Sequence, residues 1–250
     1  MAGITPQTVN IYDNYQRLLE SIGRASIKAG RNQKSIRLVV VTKSQSVQAI
    51  AEVLQAGAAD LGENYVEEAL QKMLVIEKMG IPGNLTKITW HMIGHVQSRK
   101  AESVVTHFQY MHSLDSRKLA DRMNRFSQEL EKRMPVLLEF NTSGESTKSG
   151  WPVWEEDSWN KLLPELKAIT ELSHIRVLGL MTMAPYMEDS QRSRPYYRRL
   201  RKLQDYLRKN IHSVTWDELS MGMSGDFEIA IEEGATWIRI GQAIFGPRQG

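Results

Sequence analysis

The 250-residue chain has no cysteine, so disulfide staples, thiolate nucleophiles and thiolate-ligated metal are all excluded and a reducing compartment is permitted. No apolar run approaches the roughly 20 residues needed to span a bilayer. The opening MAGITPQTVNIYDNY has neither the basic stretch nor the apolar core of a secretory signal. A soluble cytoplasmic protein with no membrane partner is expected. A strong charge of one sign is missing as well: 32 Lys and Arg against 29 Asp and Glu leave +3 with the six histidines neutral. That mildly basic balance falls short of the concentrated positive field of a dedicated nucleic-acid binder, and no nucleic-acid partner is expected. No low-complexity tract or Pro/Gly/Ser linker divides the chain, which therefore reads as one domain over residues 1–250.

What the chain does contain is alternation. Short runs rich in Val, Ile and Leu trade places with longer segments of helical period, as when crossover helices join parallel strands. Eight strands are expected, near Leu38–Lys43, Asp60–Asn64, Ile88–Ile93, Tyr110–Leu114, Val136–Asn141, Val177–Thr182, Glu218–Met221 and Trp237–Gly241. A helix-like segment follows each of the first seven, and a leading helix around Val9–Ala29 precedes them all. The pattern predicts an α/β fold, a single (β/α)8 barrel with an extra N-terminal helix, with an open doubly wound sheet as the alternative. Barrels carry chemistry at the C-terminal ends of their strands, and here those ends are polar: TKSQS, GENY, HMIGHVQSRK, EFNTSGESTKSG, GLMTMAPY, LSMGMSGD and RIGQAIFG.

The period of two puts Val39, Val41 and Lys43 on one face, so Lys43 shares the barrel interior with valines. Two readings of it stand. Its stem can lie on apolar surface while the ammonium reaches water at the rim, or partial desolvation can prepare the amine for Schiff-base formation with an aldehyde. In the last strand Ile238 and Ile240 face the helices, which turns Trp237, Arg239 and Gly241 inward. An inward guanidinium needs an acceptor, either a ligand atom or a carboxylate such as Glu63 or Glu139. Ser224 is placed to N-cap a helix running to about Glu233, and Gly241 and Gly246 permit close backbone approach, which together suggest a phosphate cradle or else an ordinary cap and turn.

His91 and His95 stand four apart but on a strand rather than a helix face, and no third ligand accompanies them, so no metal site is expected. Between Arg192 and Lys209 the basic residues fall opposite Tyr196, Leu200, Leu203 and Leu207, as on a solvated helix face. The polar stretch Asn141 to Gly150 is long for a βα loop and reads as a mobile lid, in which Lys148 either meets an anion or is simply exposed.

Together VVVTK, LGENYVEEALQK, WHMIGHVQSRK, STKSG, GLMTMAP and above all LSMGMSGDFEIAIEEGATWIRIGQAIFGPR resemble the YggS/PROSC group, the pyridoxal phosphate homeostasis proteins. The likeness runs from about Leu38 to Arg248. It implies a barrel of the alanine racemase N-terminal-domain type that binds pyridoxal 5′-phosphate (PLP) through a Schiff base on Lys43. Arg239 would contact the pyridine nitrogen, while Ser220, Ser224, Gly241 and Gln242 would surround the phosphate. Asn64 and His91 would lie near the ring. Gln242 stands where the group often has a small hydroxyl residue, which leaves its backbone N–H as the phosphate contact.

A permanently cationic arginine disfavours a protonated pyridine and so weakens the ring as an electron sink. The resemblance implies that racemases with the same arginine use a second base from an added C-terminal domain, and no such domain is expected in this chain, whose sequence ends at Gly250. The expected function is therefore PLP homeostasis by reversible binding, buffering or delivery, with PLP-dependent apoenzymes as recipients and effects on amino-acid and keto-acid pools. A monomer without robust catalysis is expected. The alternatives are a stand-alone PLP-dependent amino-acid racemase and a regulatory protein whose basic surface meets an acidic partner.

Overall fold

The computed structural model describes residues 10–80 and 88–247. Val9, the expected start of the leading helix, and Arg248, the end of the family-like stretch, lie outside them. Nine strands are present among these residues: β1 (Arg37–Val41), β2 (Asp60–Glu63), β3 (Thr89–Met92), β4 (Tyr110–Leu114), β5 (Met134–Asn141), β6 (Trp151–Pro152), β7 (Ile175–Met181), β8 (Glu218–Ser220) and β9 (Trp237–Ile240). The helices are α1 (Ile11–Lys28), α2 (Val47–Gln55), α3 (Val66–Met79), α4 (Ala101–His107), α5 (Arg117–Glu129), α6 (Leu163–Thr170), α7 (Arg194–Asn210), α8 (Phe227–Glu232) and α9 (Gln242–Phe245).

All strand pairs are parallel, in the order β4-β3-β2-β1-β9-β8-β7-β5, and a further pairing of β4 with β5 closes the sheet into an eight-stranded barrel. The open-sheet alternative is excluded by that closure. The two-residue β6 sits outside the barrel count, pairing only with the end of β5.

Alternation along each strand produces two cores. Val40, Leu61, Met111, Leu138, Leu180, Leu219, Ile238 and Ile240 point outward beneath the helices. Val39, Ile93, Leu137, Met181 and Trp237 fill the barrel interior. The face assignments expected for Val39, Val40, Ile238 and Ile240 are thus the ones observed.

The leading helix has a structural post. Asn10 caps α1 by accepting from the Asp13 N–H at 3.0 Å, and Ile11, Tyr15, Leu18, Ile22 and Ala25 are buried. That face packs against α8, α9 and α2. The helix after β9 is only four residues long, so α1 fills the place in the outer ring that a full eighth crossover helix would take. Asn14 ties it there by donating to the Ile244 carbonyl at 2.9 Å. On α7 the buried residues are Tyr197, Leu200, Leu203, Gln204 and Leu207. Tyr197 rather than Tyr196 is the fully enclosed tyrosine, because the helix is turned slightly from the expected face. Its basic side is largely matched by carboxylates, Arg194 with Glu232 and Glu233, Arg198 with Glu233, and Lys202 with Glu156.

Candidate functional site

β1 ends at Val41, and the two residues flanking Lys43 are held from outside the barrel. Thr42 Oγ1 donates to Glu63 Oε1 at 2.7 Å. The ammonium of Lys72, a buried residue of α3, donates to the Thr42 carbonyl at 2.6 Å, to Glu63 Oε1 at 2.8 Å and to Glu68 Oε1 at 2.6 Å. Glu68 Oε1 accepts from the Ser44 N–H at 2.5 Å, and Ser44 takes a left-handed φ of 59°. The peptides on both sides of Lys43 are therefore clamped, which sends its half-buried side chain to the top of the barrel. Burial raises the Glu63 carboxyl, while the hydrogen bonds from Lys72 and Thr42 oppose that rise. The sequence reading missed this clamp. Its trace is the Glu68–Lys72 spacing in LGENYVEEALQK, which looks like an ordinary surface i,i+4 pair.

Arg239 lies on the inner face of β9 and is only 4% exposed. Neither carboxylate named for it bonds to it. Glu63 belongs to the Lys72 cluster outside the barrel, and Arg239 donates instead to Ser220 Oγ at 2.6 Å and to the Thr182 carbonyl at 3.0 Å. Burial pulls the guanidinium below its usual range, with Tyr197, Glu139 and Asp226 pulling the other way. Glu139 faces the same interior from β5, and its carboxyl is pushed up to about 7, chiefly by burial and then by Asp115, against Arg239 and His95.

Lys43 and Arg239 open onto one cavity of about 500 Å³, whose wall also includes Val41, Ser224, Gly225, Asp226, Gly241, Gln242, Tyr186 and Met187. Asp226, not Ser224, is the N-cap of α8, and that helix ends at Glu232. The turn before it occupies Met223 to Asp226, with Asp226 Oδ1 accepting from the Met223 N–H at 2.7 Å, so Ser224 falls two residues short of the cap. Its hydroxyl instead accepts from the Ala243 N–H at 3.2 Å, binding the turn after β8 to the turn after β9. A Cβ on Gly241 would come within 3.0 Å of the Val41 carbonyl, so this wall is close-fitted to β1.

Three of the eight residues singled out in the sequence are not on that wall. Ser220 is fully buried beneath Arg239, and Asn64 is half-buried with Gly94 set against its backbone. His91 is deeper still, 0% exposed, bonded to His112 at 3.0 Å and Asp60 at 2.8 Å and stacked on Tyr110. His95 turns away to Asp115 at 2.7 Å. Residues 141–150 are cross-tied rather than open. Asn141 Oδ1 accepts from the N–H groups of Ser143 and Gly144, and Lys148 donates to the Met183 carbonyl at 3.0 Å and pairs with Glu145 at 2.6 Å.

A parallel barrel with a lysine after its first strand and an arginine on its last, both facing one cavity, defines a barrel of the alanine racemase type. The sequence model "Alanine racemase, N-terminal domain" matches residues 13–249. The chain belongs to this family and, within it, to the pyridoxal phosphate homeostasis proteins. It is 38% identical over 242 residues to the pyridoxal phosphate homeostasis protein of Aquifex aeolicus, covering 96% of this chain and 100% of that one. To its Escherichia coli K12 counterpart it is 34% identical over 239 residues, 96% of this chain and 97% of that one. Among solved structures, PipY of Synechococcus elongatus is 32% identical and superposes with a TM-score of 0.76 in its form with PLP bound, covering 93% of this chain and 100% of PipY. An alanine racemase of Clostridium difficile 630 shares the fold alone, at 16% identity and a TM-score of 0.66, covering 95% of this chain and 60% of the racemase.

Proposed function

We propose that this chain is one PLP-binding barrel domain, residues 1–250, that takes up pyridoxal 5′-phosphate reversibly on Lys43 and buffers or delivers it, so steadying amino-acid and keto-acid metabolism. The observation that carries the reading is the meeting of Lys43 and the buried Arg239 on one cavity of about 500 Å³, a size suited to a small phosphorylated ring. The residues present fit that group. Lys43 supplies the amine, and Arg239 a fixed N–H donor for the pyridine nitrogen. Ser224, Gly241 and the Gln242 N–H line the side suited to an anion.

When bound, PLP supplies an aldehyde carbon and a ring that draws electrons to the extent that its nitrogen is protonated. Arg239 donates and cannot accept, so it holds that nitrogen unprotonated. Holding the cofactor is favoured over exploiting it. PLP-dependent apoenzymes are the recipients this function calls for, and a cytoplasmic monomer is the form we assign. No helix among the described residues is long and apolar enough to cross a membrane.

Protein incubated with PLP is expected to show a visible band that borohydride bleaches, leaving a reduced adduct on the Lys43 peptide. Lys43→Ala should lose both, and a reduced adduct surviving at that peptide's position would sink the assignment. One observation favours turnover instead. Burial pushes the Glu139 carboxyl, inside the barrel but off the cavity wall that Lys43 and Arg239 share, up to about 7, the range of a general base. Steady incorporation of solvent deuterium at Cα of an added amino acid, lost in Glu139→Gln, would establish the racemase reading in place of the carrier.

A further inference from the structure

A line of four polar groups descends from Arg239 through the barrel axis. Arg239 Nη1 reaches Ser220 Oγ at 2.6 Å, and Ser220 Oγ lies 2.8 Å from His112 Nδ1. His112 Nε2 is 3.0 Å from His91 Nδ1, and His91 Nε2 is 2.8 Å from Asp60 Oδ1. Ser220, His112 and His91 are each 0% exposed, whereas the Asp60 side chain, at the opening of β2, keeps 32% exposure at the opposite end of the barrel.

The two ends dictate every proton between them. A guanidinium only donates, and a carboxylate only accepts. His91 must therefore carry its hydrogen on Nε2 to meet Asp60, which leaves Nδ1 to accept. His112 then donates from Nε2 and accepts at Nδ1, so the Ser220 hydroxyl spends its one hydrogen on His112. Only lone pairs of Ser220 are left for Arg239. Four hydrogen bonds point one way, with one proton in each and none to spare.

Burial lowers both imidazoles, for His91 against the pull of Asp60 and for His112 with added repulsion from His91, Arg239 and Arg37. Both rings are thereby kept neutral, as the chain requires.

Resting on the PLP reading above, we propose that His112 and Asp60 are positioning residues for Arg239: they commit the Ser220 hydrogen downward, so that Ser220 and the Thr182 carbonyl lock the guanidinium in the orientation that meets the pyridine nitrogen. The control of the cofactor site thus reaches to the far face of the barrel.

Long-range 1H–15N spectra of the cofactor-free protein at pH 7 test the chain without PLP. Both rings are expected as neutral Nε2–H tautomers, and a charged ring or an Nδ1–H tautomer at either position overturns the proposal. Asp60→Ala, at a partly exposed position, and His112→Phe then test the consequence. Each is expected to bind PLP about tenfold more weakly and to shift the pH midpoint of its visible band, whereas the conservative Asp60→Glu restores both. Wild-type affinity and midpoint in Asp60→Ala would overturn the positioning role. If the wild type binds no PLP, the carrier reading fails while the tautomers still decide whether the chain exists.

Discussion

Glu139 is the buried acid whose protonation couples most directly to folding. Its carboxyl rises from an ordinary 4.5 to about 7 because burial opposes the charge. Between these values the folded state keeps a proton that the unfolded state releases, so this residue costs stability as pH rises through the window. At about 1.4 kcal/mol per pKa unit the full cost is on the order of 3 kcal/mol. The buried histidines act with the opposite sign: their lowered pKa values remove stability as pH falls below about 6.5. The difference between wild type and Glu139→Gln isolates the acid. Urea unfolding at a series of pH values should show the variant gaining on the wild type from pH 5 to 8, and parallel curves would disprove the elevated carboxyl. Much at this scale was legible in sequence. A period of two was enough to turn Lys43 and Arg239 inward. The Lys72 clamp and the path from Ser220 to Asp60 were not, because each joins residues on different strands and helices whose meeting depends on register.

At the level of elements, the eight barrel strands could be located because each is a run of β-branched or apolar residues ended by polar ones. β6 and α9 could not, since two and four residues carry no period. Ser224 is a good cap residue before an apolar run, but Asp226 stands nearer that run and is the cap. The most informative element is α1. Its Leu18 and Ile22 are 5% and 3% exposed and fill a gap in the helical ring rather than decorating it. Leu18→Ala is expected to cost about 2–5 kcal/mol. Its chemical denaturation midpoint should fall accordingly, while a loss under about 0.5 kcal/mol, the size of an ordinary surface change, would show that α1 is an appendage.

For the whole molecule, closure is the dominant fact. Val39 pairs with Arg239 and Val40 with Ile240, while β1 pairs on its other side with β2, so β1 has no free edge. Opening any one strand breaks two ladders. The amides of Val40 and Ile240 should therefore exchange with solvent only through global unfolding, with protection equal to the equilibrium stability. Faster exchange at these positions than in the most protected amides of β5 and β7 would show that the β1–β9 seam opens by itself. Fold class was readable from sequence because eight βα units admit few arrangements. Which strands close the ring was not, because that pairing is a property of the assembled sheet.

The seam has a consequence in time. β1 and α1 leave the ribosome long before β9, α8 and α9, on which they depend. Until the stretch to Ile240 has emerged, Val39 and Val40 lie on an open strand edge and the apolar face of α1 is uncovered, the state in which a nascent chain is most prone to pair with its neighbours. The joint that makes the finished barrel edgeless is the one its synthesis must leave open until nearly the end.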